Sequence, residues 1–175
     1  MAFVSTDSFP AGTDRLRQWP SVQRLLASVD GSRHWETAVI VGSLASGQAD
    51  AMSDVDVFIL VETGAFAGAW EHRHELHGGS VVACWDTGVD GVASAGHKWL
   101  TCDLVYFDCK VAEPEEVTLA EPFVVAVGRE ELLARIETEP LPRKRERTWR
   151  CDGPKPVAVA YAELKDAVRS LLRSP

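Results

Sequence analysis

The feature that most constrains this chain is Asp54-Val55-Asp56, two carboxylates at the head of the apolar run Val55 to Val61. Strand side chains alternate between faces, so Asp54 and Asp56 point the same way, one pleat apart. Two carboxylates side by side at the edge of a buried strand repel each other and are costly to desolvate. A cation between them removes both penalties. The occupant that suits paired carboxylates is a hard divalent ion such as Mg2+, which takes oxygen ligands and brings substrate phosphates with it. The plainer account is two solvated acids at a strand edge, and what precedes the pair weighs against it.

An earlier apolar segment, Thr37 to Val41, reads as a buried strand and runs into Gly42-Ser43. Glycine lets a phosphate approach the backbone, serine offers a hydroxyl, and a helix start supplies free N–H groups. The segment Leu44 to Ala51 has room for about two helical turns at ~3.6 residues each. A Gly-Ser dipeptide alone means little. Here ten residues, Leu44 to Ser53, separate it from Asp-x-Asp on a second apolar strand. An anion-holding turn is then placed beside a metal-holding pair, the two parts that phosphoryl or nucleotidyl transfer needs.

The remaining pattern supplies the frame. Asp14 to Trp19 reads as a helical turn stopped at Pro20, and Ser21 as the N-cap of an amphipathic helix through Val22, Leu25, Leu26 and Val29. Gly64 to His77 reads as a helix and Val81 to Trp85 as a third strand, followed by a Gly-rich loop from Asp86 to Gly96. Trp99 to Phe107 and Lys110 to Val117 read as a hairpin turning at Asp108-Cys109. Phe123 to Val127 reads as a last strand and Arg129 to Ile136 as a short helix. A break at Glu139 to Pro142 and a basic run, Arg143 to Arg150, precede a terminal apolar stripe from Val157 to Leu172. The expected fold is α+β, a mixed β-sheet flanked by helices with a short C-terminal helical extension. The expected division is a catalytic domain over 1–138 and a basic linker with a helix over 139–175.

Composition narrows the partners. A net charge of −8 argues against a nucleic-acid partner, which needs basic surface. It suits a small cationic partner or substrate better. The four cysteines show no CxxC pair and no zinc spacing, as expected of reduced thiols in a cytoplasmic protein. No run approaches membrane-spanning length. His72, His74 and His77 invite a metal reading, but only His74 and His77 fall on adjacent helical turns and no third ligand is evident, so a solvated helix end is the better account. The basic run reads as a solvated linker rather than a nucleotide clamp. Trp85 and Trp99 fall near the expected cleft, where an aromatic ring can stack on a base.

The motif Val41-Gly42-Ser43, the ten-residue spacer and Asp54-Val55-Asp56-Val57 resemble the signature of the DNA polymerase beta-like nucleotidyltransferase superfamily. Small bacterial members include antibiotic nucleotidyltransferases acting on aminoglycosides and lincosamides. The resemblance implies transfer of a nucleoside monophosphate from ATP or another NTP to a hydroxyl of a small molecule, with Mg2+. It implies that Gly42 and Ser43 hold the triphosphate and that Asp54 and Asp56 bind the metal. It also implies a third catalytic acid from a later strand, for which Glu113 and Asp103 compete. Glu113 matches the family's hairpin pattern without a gap, and Asp103 matches an acid within an apolar strand. Two departures stand out: no basic residue follows Gly42-Ser43, and little chain follows Arg143 to cover an acceptor. The second implies a shallow cleft, or one completed by a second subunit in a homodimer. Other members implied by the resemblance modify a protein or an RNA end in antitoxin-like fashion, or keep the fold as a non-catalytic binding module.

Overall fold

The computed structural model describes residues 9–88, 92–128 and 130–140. It is built on a six-stranded sheet: β1 (Thr37–Val41), β2 (Val55–Leu60), β3 (Val81–Gly88), β4 (Ser94–Thr101), β5 (Tyr106–Ala112) and β7 (Val124–Gly128), in the order β3-β4-β5-β2-β1-β7. β2 and β5 run parallel, and the other neighbours are antiparallel. A second, two-stranded sheet pairs β6 (Thr118–Glu121) with β8 (Glu137–Pro140). The helices are α1 (Trp19–Asp30), α2 (Gly42–Ala45), α3 (Phe66–Glu71) and α4 (Glu130–Leu133). The architecture is the mixed α+β one expected from the alternation of elements, consistent with a nucleotidyltransferase-like fold. None of these helices is long and apolar enough to cross a membrane. The basic run and the terminal stripe, 141–175, lie outside the described residues.

The sheet has two unlike faces. On one, Val22, Leu25, Leu26 and Val29 of α1 pack on Ile40, Val57, Cys109 and Trp99, all buried. Burial of those apolar groups is the main driving force for docking the helix. Cys109 is fully enclosed there, and burial together with neighbouring Asp108 pushes its thiol well above the usual range. On the other face a smaller cluster, with Val39, Leu60, Ala112, Leu119 and Leu132, covers only the far end of β1, β2 and β5. The near end of that face, where β2 and β5 begin, carries polar side chains instead.

Several local expectations shift. Pro20 lies inside the first turn of α1, where its missing N–H leaves no helical bond unmade, so the helix begins before Ser21. Ser21 is a buried helical residue rather than a cap. The helix after Gly42 is one turn, not two. The expected helix over 64–77 divides into α3 and a 3-10 turn, Arg73–His77, which ends at Gly78. The expected loop from Asp86 to Gly96 gives way to longer strands, because Asp86 pairs with His97 and Thr87 with Gly96. The β4–β5 hairpin turns at Cys102–Val105, where Thr101 Oγ1 accepts from the Val105 N–H and donates to its carbonyl. Asp108 and Cys109 are strand residues.

Behind β3 and β4 lies a polar chain on the α1 face. His97 is fully buried, with Nδ1 2.6 Å from Asp86 Oδ1 and Nε2 2.7 Å from His77 Nε2. Burial, then the neighbouring His97 and His74, hold the His77 imidazole down at about 4 despite Asp86. Burial likewise lowers His97 in spite of its bond to Asp86. A base with a depressed native pKa takes up its proton first in the unfolded chain, so protonation favours unfolding. The contribution of His77 is intact above pH 6.5 and is lost as the pH falls towards about 4. Denaturant unfolding followed across that range should lose stability more steeply in the native chain than in His77→Gln. Parallel pH profiles would show that the cluster does not resist protonation.

Candidate functional site

Pairing across the sheet assembles the site. Val41 on β1 stands opposite Asp56 on β2, and Asp56 opposite Asp108 on β5. Asp108 stands opposite Lys98 on β4, and Lys98 opposite Trp85 on β3. Direct cross-strand partners share a face, so Trp85, Lys98, Asp108, Asp56 and Val41 form one row over five strands. Asp54 precedes β2 by one residue and Asp56 by two, which alternation puts on the same side. Asp56 and Asp108 sit on adjacent strands about 4.8 Å apart. Carboxylates so placed are the hard oxygen donors that suit Mg2+, and this donor set fits such an ion.

The turn before Asp56 closes onto it. Gly42 follows β1 with φ +68°, and a Cβ there would come within 2.5 Å of Asp56 Oδ2. Only glycine meets both requirements. Ser43 lies in the single turn of α2, whose first N–H groups have no partner within the helix. The loop from α2 to β2 is held from behind. The buried Gln18 amide donates to the carbonyls of Asp50 and Ser53, at 2.7 and 2.8 Å, and Asp50 Oδ1 accepts from Met52 N–H and Ser53 Oγ. Asp54 follows directly on this anchored loop.

Cations line the same face. Lys98 Nζ donates to Asp108 Oδ2 at 2.7 Å, and Lys110, one pleat along β5, lies 5.7 Å from the Phe58 ring centroid. Lys98, Asp108 and Lys110 border an open cleft of about 420 Å³ between β3, β4 and β5. Gly96 leaves its floor bare, because a Cβ there would run into the Thr87 hydroxyl. Tyr106, one pleat before Asp108 on β5, sets its ring against Trp85 of the row, with centroids 5.7 Å apart. Trp99 does not join them; it is fully buried on the opposite face, stacked on Phe107.

Gly42 closes on Asp56, Ser43 follows it in the turn and Asp54 lies two residues before Asp56, whereas the carboxylates of Glu113 and Asp103 bond elsewhere. Glu113 lies five residues beyond Asp108, at about 3.3 Å per strand residue. Its carboxylate accepts from the N–H groups of Gly64 and Phe66, at 2.8 and 3.2 Å, and so caps the start of α3. Asp103 sits in the β4–β5 turn and faces α1, accepting from Ser21 Oγ at 2.9 Å and pairing with Arg24 at 3.3 Å. Partial burial raises its carboxyl, but bonds from Thr101 and Ser21, then the charge of Arg24, hold it below the usual range. The acid opposite Asp56 is Asp108. The signal for it was present, since Phe107-Asp108-Cys109 repeats the apolar-acid-apolar pattern of Val55-Asp56-Val57. Lys98 and Lys110 add positive charge to this face of the sheet.

Residues 32–85 match the model of the nucleotidyltransferase domain family. No curated protein matches the chain. The matched stretch takes in β1, Gly42-Ser43, the Asp54/Asp56 pair and α3, and ends within β3. It supports the DNA polymerase beta-like superfamily, and with it nucleotidyl transfer, a transfer of phosphorus-containing groups, as the class of chemistry. Asp108, Lys98 and Lys110 lie beyond it and are located by the sheet register alone.

Gly42→Ala should lower stability by about 1 kcal/mol through its positive φ and also displace the Asp56 carboxylate. Glu113→Ala should cost about 1 kcal/mol by uncapping α3 and leave the acid row untouched. Chemical denaturation measures both, and ligand-binding assays separate the site defect of the first from the structural defect of the second.

Proposed function

We propose that this chain is a Mg2+-dependent nucleotidyltransferase that moves a nucleoside monophosphate from ATP or another NTP to a hydroxyl of a small molecule. The observation that carries the proposal is the Asp56–Asp108 register beside a glycine turn that closes on Asp56. Asp54, Asp56 and Asp108 would hold the metal, which when bound neutralises phosphate charge and polarises the α-phosphate. Gly42 and Ser43 present backbone N–H groups and a hydroxyl to the triphosphate. Lys98, released from Asp108, offers its ammonium to the same phosphates.

Asp108 is the acid placed to orient the acceptor hydroxyl and take its proton. The acceptor oxygen bonds to the α-phosphorus, the bond to the bridging oxygen breaks, and pyrophosphate leaves in line. The paired rings of Trp85 and Tyr106 would provide apolar surface for the acceptor on the same face as the acid row. The net charge of −8 favours a cationic acceptor, of which aminoglycoside-type antibiotics are one class.

Asp54→Asn, Asp56→Asn and Asp108→Asn should each reduce transfer about a thousandfold, while Asp103→Asn and Glu113→Gln retain it. The assay is incubation with Mg2+, each NTP and a panel of hydroxyl-bearing antibiotics, read by mass spectrometry. Full activity in Asp108→Asn would remove it from the mechanism. Labelling of a protein or RNA, with none of any small acceptor, would reassign the substrate.

A second reading rests on the 2.7 Å Lys98–Asp108 pair, an ammonium standing where a metal-bridging carboxylate is needed. With Lys98 as permanent counter-ion, the fold is a binding module without catalysis. That reading predicts ATP binding indifferent to Mg2+ by calorimetry, and it fails if Mg2+ tightens binding.

A further inference from the structure

The α1 face of the sheet carries a second donor set, unlike the acid row. His74 and His77 come from the 3-10 turn after α3, and Cys84 from the edge strand β3. One nitrogen of each histidine and the Cys84 sulfur all lie within 4.8 Å of one another. Behind them runs a fixed chain. His77 Nε2 is 2.7 Å from His97 Nε2, and His97 Nδ1 is 2.6 Å from Asp86 Oδ1. Arg73 Nε donates to both Asp86 oxygens, at 3.1 and 3.0 Å.

The chain dictates which ring atoms carry protons. An ionised Asp86 only accepts, so His97 bears its proton on Nδ1 and offers a lone pair at Nε2. His77 must then donate from Nε2, which leaves its Nδ1 lone pair for another partner. A carboxylate and an imidazole lined up behind a histidine are the support that orients metal-ligating histidines. Two imidazoles and a thiolate form a borderline-soft set that suits Zn2+, in contrast to the oxygen donors across the sheet.

We propose that His74, His77 and Cys84 form a three-ligand Zn2+ site, with His97 and Asp86 as positioning residues. The fourth position faces solvent, because Cys84 and His74 are exposed. Binding releases the Cys84 thiol proton to solvent and forms the metal–sulfur bond, with no change of oxidation state. The metal ties the 3-10 turn to β3, whose outer edge has no strand partner among the described residues. This site is independent of the nucleotidyl-transfer reading, since it shares no residue with the acid row.

The test uses the full chain with Zn2+ and Co2+ as probes. Iodoacetamide labelling, mapped by peptide, should slow about tenfold or more at Cys84 with Zn2+ and stay unchanged at exposed Cys102. Co2+ should give a thiolate charge-transfer band that Cys84→Ser abolishes. His97→Gln should weaken Zn2+ about 10–100-fold without removing a ligand. Equal labelling of Cys84 with and without Zn2+, in the native chain, overturns the site. So does a Co2+ band that persists in Cys84→Ser.

Discussion

The site depends on one pairing, the parallel register of β2 with β5. It sets Asp56 directly beside Asp108 near the open ends of two central strands. Like charges on adjacent strands are unfavourable, and a sheet gains nothing from them by itself. Here the cost is offset from two directions. Lys98 reaches Asp108 from β4, and the apolar far ends of the same strands, Leu60 and Ala112, are fully buried under the smaller cluster. The strands are held at one end by hydrophobic burial, which leaves the other end available for charge. Gly42 exploits the opening, because a turn without a Cβ can press directly against the Asp56 carboxylate.

Much of this was legible from residue pattern, and the losses have identifiable causes. Strands β1 and β2 are readable because each is a short apolar run between clear boundaries, and Gly42 because it stands between the first run and a helix start, where a phosphate can approach the backbone. The register partner of Asp56 is hidden in the sequence because Asp108-Cys109-Lys110 has the polarity of a turn, whereas the reversal in the structure contains no glycine. Its left-handed residue is Leu104, at φ 60°, a side chain that turn preferences never nominate. Thr101 clasping Val105 makes that turn, and this is a tertiary detail of side-chain bonding rather than a pattern of composition. A turn read at Asp108-Cys109 points instead to Glu113 or Asp103, whose carboxylates bond to the start of α3 and to α1 respectively.

The histidine cluster is hidden in the sequence for a related reason. Helical spacing joins His74 to His77 but cannot show that Cys84 reaches them, since it arrives from a separate strand whose place in the sheet is set by its pairing with β4. Nor does it show His97, which stands opposite Asp86 only once β3 and β4 pair. The pleat then accounts for both sites at once. Trp85 and Asp86 are neighbours in sequence, yet alternation sends Trp85 to the acid row and Asp86 to the imidazole chain. On β4 the same alternation sends Lys98 to Asp108 and His97 to Asp86. One sheet thereby presents oxygen donors on one face and nitrogen and sulfur donors on the other. The hard–soft preference of metal ions keeps the two proposed sites from competing for the same cation. A substitution that slipped β3 by one residue against β4 would exchange the faces of β3, taking Cys84 and Asp86 away from the histidines and Trp85 away from the acid row.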